Sequence, residues 1–264
     1  MIGEQTAWAA TFRAPQAGLL QLGSADDPWA RWARGVLLQA GGDYAAAFAL
    51  WEPLTVAGDE RAGLAAARMA SGLRQLDEHA AAVPWDDLAR AGHGRAVVDG
   101  LVGRAADAVG LGDEAAAAEY LDQARQCVTH SRDRIRVAWV ACEIDLLSDR
   151  PAAAAAEADR ALGLARNMVW PRHQAKSALF LGAALRHSDP ERAIPLLHEV
   201  ASEAEQLSLR PLVWPVVLVL GDEATAAERR WAHRAVRVIE SQLPAGVGGG
   251  WAARADIAQL LVNG

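Results

Sequence analysis

Two cysteines, Cys127 and Cys142, are too few for the disulfide framework of a small secreted domain, and buried free thiols are expected. Asparagine is nearly absent, with only Asn167 and Asn263, and lysine occurs once, as Lys176, against 25 arginines. Runs of β-branched residues are scarce, which argues against sheet. The longest apolar stretch, LVWPVVLVL (212–220), is too short to span a bilayer and carries a proline. The opening MIGEQTAWAATFRAP has no basic segment followed by an apolar run, so no signal peptide is expected and a cytoplasmic protein is the simplest reading. The phosphate loop GxxxxGK[ST] and the metal pair HExxH are missing, and GVGGG (246–250) lacks a preceding strand, so it reads as a linker. Cys127 and His130 have no second pair to complete a zinc site. The seven histidines stand in no recognisable nucleophile–base context. Asp26-Asp27 and Asp86-Asp87 read as helix-start acids. No cofactor, no metal and no enzymatic activity are expected.

What is present points to helix. Alanine, the strongest helix former, makes up almost a quarter of the 264 residues. Hydrophobic residues reach 52% and charged residues 22%, a globular balance. The net charge of −7 speaks against direct nucleic-acid binding over the whole surface.

An aspartate recurs in short polar turns at Asp43, Asp77, Asp113, Asp149, Asp189 and Asp222, with spacings of 34, 36, 36, 40 and 33 residues. Four residues after each comes an alanine: Ala47, Ala81, Ala117, Ala153, Ala193 and Ala226. Aspartate caps a helix by accepting from its unpaired N–H groups, and a small residue one turn later admits a neighbouring helix. The segments before each aspartate carry helical patterning too. Each unit therefore reads as helix, turn, helix, with successive units stacking to bury the face that each leaves open.

This pattern resembles the tetratricopeptide repeat (TPR) family over roughly residues 27–243. Gly35, Leu38, Gly42-Asp43-Tyr44, Ala47 and Trp51 match best in the first unit; Ala105, Gly112-Asp113, Ala117 and Ala124 match in the third. Cys142, Ala154, Ala161 and Leu162 fit the fourth with a one-residue slip, and Gly182 the fifth with a similar one. Departures are Met69 and Trp214 at the small position and Pro84 and Pro195 inside second helices, which should kink them or delay their start. Pro215 is expected to break the sixth unit's first helix. The resemblance implies an all-α, right-handed α-solenoid of about six TPR-like helix-turn-helix units with terminal capping helices. The boundaries are a partial cap over 1–26, with helix around 5–12 and 16–22, the array over 27–243, a Gly-rich linker at 244–250, and a closing helix in 251–264 carrying Trp251, Ile257 and Leu261.

Trp32, Trp51, Trp85, Trp139 and Trp214 fall inside helices and can fill the space between repeats. Trp32 and Trp139 lie on first helices, which in the TPR family line the concave surface, so they are also groove candidates. Arg95, Arg132 and Arg172 precede their turn aspartates by 17 or 18 residues, and Arg136 and Lys176 follow one turn later. With His173, they form a candidate basic ladder. Its counter-charge could be internal, from Asp122, Asp133, Asp159, Glu203 and Glu205, or an external anion, since arginine's planar fork suits carboxylates. The resemblance implies a non-catalytic scaffold that binds a peptide or protein, with an acidic or C-terminal carboxylate motif, on its concave face. The alternative is a ligand-sensing module acting with a separate partner, as similar arrays do in bacterial transcription regulators. The asparagines of the TPR carboxylate clamp are not visible here.

Overall fold

Alanine-rich stretches punctuated by capping residues and left-handed turn residues fold as a succession of helices. The computed structural model describes residues 3–13, 22, 27–254 and 257, and among them there is no β-strand. The chain divides into two compact units, Met1–Val128 with Gln242–Gly248, and Thr129–Ser241 with Gly249–Gly264.

The first unit holds α1 (Glu4–Phe12), α2 (Pro28–Gly41), α3 (Tyr44–Trp51), α4 (Glu60–Gln75), α5 (His79–Arg90), α6 (Arg95–Gly110) and α7 (Glu114–Cys127). Helices adjacent in sequence pack together as α1–α2, α2–α3, α4–α5, α5–α6 and α6–α7. The first helices of successive hairpins also touch, α2 with α4 and α4 with α6. The second unit holds α8 (Ser131–Leu147), α9 (Pro151–Met168), α10 (Pro171–Leu185), α11 (Pro190–Gln206), α12 (Arg210–Leu220), α13 (Ala226–Ser241) and α14 (Gly249–Ala253). Here α8 to α12 each pack on the next helix, and the first helices α8, α10 and α12 touch in order. Within each unit the architecture is all-α, built from sequential helical hairpins.

The hairpin turns share one device. Gly42, Asp77, Gly112 and Asp149 each take a positive φ, between 55° and 89°, just after the first helix. The following residue sends its N–H back to the carbonyl five residues earlier: Asp43 to Leu38, Glu78 to Leu73, Asp113 to Ala108 and Arg150 to Asp145. This closure satisfies carbonyls that the helix end leaves open. It also corrects the register read from sequence. Asp43, Asp113 and Asp189 do cap their second helices, accepting from the N–H groups of Ala46, Ala116 and Arg192 at 3.0–3.2 Å. Asp77 and Asp149 instead stand in the left-handed place that glycine fills elsewhere, and Glu78 and Arg150 take the N-cap position. Asp222 lies in a 3-10 turn, and α13 is opened by Thr225 and Glu228, which exchange side chain-to-backbone hydrogen bonds.

In this register, four residues after each N-cap come Ala47, Ala82, Ala117, Ala154 and Ala193, all fully buried, whereas Ala81, Ala153 and Ala226 face solvent. Eight residues before the N-cap come Gly35, Ala70, Ala105 and Cys142, so Ala70 rather than Met69 occupies the small position of the second hairpin. Pro84, Pro195 and Pro215 are each the sixth residue of their helix, and none delays or breaks it, contrary to expectation. A proline there removes a bond only to the carbonyl of the helix's second residue, close to the N-terminal end.

The α1 helix covers the expected 5–12 segment, while residues 16–21 lie outside the described residues. At the other end, α14 starts at Gly249, inside the expected linker, and Trp251 and Ile257 are buried; Leu261 lies outside the described residues. Among the described residues no helix is long and apolar enough to cross a membrane.

Candidate docking surface

The expected ladder residues of the second unit lie on α8 and α10, two first helices in contact. Arg132, Arg136 and Trp139 recur at intervals of four and three along α8, and His173, Lys176 and Phe180 at intervals of three and four along α10; such spacing places each set on one face. Trp139 is where the faces meet. Its indole N–H donates to the Ser177 hydroxyl at 2.8 Å. The His173 ring stacks on it at 5.4 Å between centroids and 24° between planes, and Phe180 stacks at 6.1 Å. Trp170 closes the end of the row, 5.2 Å from His173. Trp139, 9% exposed, belongs to a buried cluster with Ile135, Ala138, Ala161 and Ala165, and the partly buried Trp170 and Phe180 pack against it.

The Lys176 ammonium sits 4.5 Å from the Trp139 ring centroid and 5.5 Å from that of Phe180, a cation–π position over an aromatic floor. Arg136, Arg172 and Lys176 are half-buried. Arg132 and His173 are not surface groups, with only 3% and 5% of their area exposed. Three of the acids expected as counter-charges have these contacts. Asp122 pairs with Arg125 at 2.9 Å and Asp159 with Arg192 at 3.3 Å, while Asp133 accepts from the His130 N–H at the start of α8. Burial raises the carboxyl of Glu203, with Arg166 opposing and Glu199 adding to the rise.

Two other expected site residues belong to the first unit and have structural surroundings there. Trp32 is fully buried, with Trp8 at 5.0 Å, and its carbonyl accepts from the Trp51 indole N–H at 3.0 Å; it lines no surface. Arg95 lies 3.2 Å from Glu4 and 4.6 Å from the centre of the Trp8 ring. Of the expected site residues, Arg136, Arg172 and Lys176 are the half-buried ones on α8 and α10, and Lys176 is the one that stands over Trp139. Sequence reading missed Ser177, Phe180 and Trp170. Phe180 stands four residues after Lys176, and that spacing was the available signal.

The first unit holds a second polar constellation. Arg74 of α4 pairs with Asp86 of α5, and also reaches Asp107 of α6 at 3.1 Å and the Gly103 carbonyl at 3.3 Å. Asp86 is fully buried in mid-helix, so the helix-start reading of this acid is wrong; Asp27 does cap α2, accepting from Trp29 and Ala30. Gly103 makes room for the carboxylate, since a Cβ there would stand about 2.0 Å from Asp86 Oδ1.

Among the described residues, no group of three or more His, Cys, Asp or Glu side chains is placed to hold a metal ion. No family model matches this chain, and neither does any curated protein.

Proposed function

We propose that this chain is a non-catalytic, TPR-like interaction module that docks an acidic segment of a peptide or protein on the α8–α10 face. The observation that carries this reading is the Lys176 ammonium over the Trp139 and Phe180 rings, with Arg136 and Arg172 about one turn away along the same two helices. Trp139 is fixed by its bond to Ser177 and by flanking rings, so the floor is rigid before a partner arrives. Rigid aromatic groups contribute contact area with little loss of conformational freedom, and rim cations select acidic partners and speed their approach. In the TPR arrangement, first helices such as α8 and α10 line the concave face. The partner's carboxylates belong on the cations and its apolar side chains on the partly exposed Trp170 and Phe180, which pack against the Trp139 cluster.

The test is an array of acidic peptides, with free and amidated C-termini, probed with the wild-type chain and with a variant carrying Arg136→Glu, Arg172→Glu and Lys176→Glu. Arg132 is left intact because it is buried. Loss of binding by a variant with wild-type helicity supports the docking face; unchanged binding removes it.

A second reading, small-ligand sensing with a separate partner chain, rests on a shallow depression of about 430 Å³ lined by Ala183, Arg186, His187, Leu218 and Val219. Arg186 holds that site together by donating to the carbonyls of Val219 and Leu220 at the end of α12. Stabilisation by a small metabolite in a thermal-shift screen, abolished by Leu218→Arg, favours sensing over peptide docking.

A further inference from the structure

Eight residues after the N-cap of the first five second helices stand Trp51, Asp86, Leu121, Ala158 and Leu197, all buried. Four are apolar and one is an aspartate. A carboxylate in that place is costly unless its charge is matched or removed. The match is incomplete, because one guanidinium, Arg74, faces two carboxylates, Asp86 and Asp107. Each keeps one buried oxygen with no hydrogen-bond partner, Asp86 Oδ1 and Asp107 Oδ2. A single proton answers both problems, since it cancels one of the two like charges and turns an orphaned acceptor into a donor.

The surrounding groups leave that proton in place. His79 of α5 lies 3.8 Å from Asp107 and 3.7 Å from Asp77, and is seated against Gly110, where any Cβ would collide with its ring. Arg104 of α6 lies 3.5 Å from Asp87 and donates to the Tyr120 hydroxyl, with the Asp107 charge also acting on it. Burial pushes the Asp86 carboxyl up to about 8; Arg74 opposes the rise and Asp107 adds to it.

We propose that the three-helix core α4–α5–α6 is a proton-linked latch, in which Asp86 holds a proton beside Arg74 and the Asp107 carboxylate, and loss of that proton lets α5 part from its neighbours. The sign follows from the two states. Closed, Asp86 keeps its proton to about pH 8; opened into water, it loses it near the ordinary 3.8. Opening therefore releases a proton, and its equilibrium constant rises by about tenfold per pH unit between those limits, then levels off above pH 8.

Hydrogen exchange on the full chain tests the latch. After correction for the intrinsic pH dependence of exchange, protection across 79–110 falls by about tenfold per unit from pH 5 to pH 7. Residues 171–185 serve as the reference and do not follow that slope. Asp86→Asn keeps a hydrogen-bond donor but cannot titrate, so it flattens the response. A wild-type profile across 79–110 that does not change with pH overturns the proposal, as does an unchanged slope in Asp86→Asn. Should that variant not fold, carbon NMR of the Asp86 carboxyl in the unaltered chain decides: a midpoint near 8 upholds the latch and one in the ordinary carboxylate range ends it.

Discussion

The Trp139 indole N–H donates to the Ser177 hydroxyl across the α8–α10 contact at 2.8 Å, and Ser177 has no exposed surface. One hydrogen bond thus sets the orientation of the ring on which Lys176 rests. Ser177→Ala leaves a buried N–H without its partner, a loss of about 1–3 kcal/mol. Urea unfolding of the variant is expected to show a lower midpoint. A midpoint equal to wild type means that the indole finds another acceptor and that the floor is not fixed in this way.

The recurring aspartates separate into two groups under mutation. Asp113→Ala removes an N-cap and costs about 1 kcal/mol. Asp149→Gly replaces a side chain at φ 55° with the residue that tolerates that conformation best, and is neutral or stabilising. Val169 is the stronger case, a β-branched residue at φ 53° and largely exposed, so Val169→Gly is expected to stabilise by about 1 kcal/mol. Denaturation midpoints of the three variants check the pattern, and a stabilising Asp113→Ala contradicts it.

Much of the fold was legible because capping chemistry leaves a mark in sequence. The spacing of Asp43, Asp113 and Asp189 located three hairpins correctly. It failed by one residue at Asp77 and Asp149, because aspartate serves both as an N-cap and as a residue tolerant of positive φ, and composition cannot separate the two. That slip alone made Met69 look like a departure when Ala70 fills the small position. The site was less legible. Trp139, His173 and Lys176, each read as a candidate, do lie together, but Arg132, His173, Trp32 and Trp139 were expected to face a partner and are buried, because burial depends on packing from helices far away in sequence. Asp86 was taken for a helix-start acid. In the corrected register it falls where other hairpins place Trp51, Leu121 and Leu197, and a charge in that phase is the sign of a buried partner.

Two glycine substitutions are expected to act in opposite directions. A Cβ at Gly35 would stand about 2.3 Å from Trp51 Nε1, and the indole is held by its bond to the Trp32 carbonyl. Gly35→Ala is therefore expected to destabilise by about 1–3 kcal/mol. Gly163 lies within α9 with open space around it, and Gly163→Ala is expected to stabilise by about 0.5–1 kcal/mol through helix propensity. Thermal unfolding of both variants measures the difference.

The two thiols differ in reactivity. Burial, reinforced by Glu143, Asp145 and Glu157, pushes the Cys142 thiol up to about 12, whereas Cys127 is exposed. Only the thiolate is nucleophilic. At pH 8 a disulfide reagent is expected to titrate one thiol in the folded chain and two in denaturant. Rapid reaction of both thiols in the folded chain contradicts the buried placement of Cys142.

Docking on the α8–α10 face is tested most directly by proton–nitrogen NMR of the chain titrated with an acidic peptide selected from the array. The Trp139 indole N–H reports from the centre of the surface, bonded to Ser177 beneath Lys176. The account requires this resonance, and the amides of 132–139 and 172–180, to shift in a saturable, salt-sensitive way. Saturable shifts confined to other helices, with the Trp139 indole unmoved, contradict it.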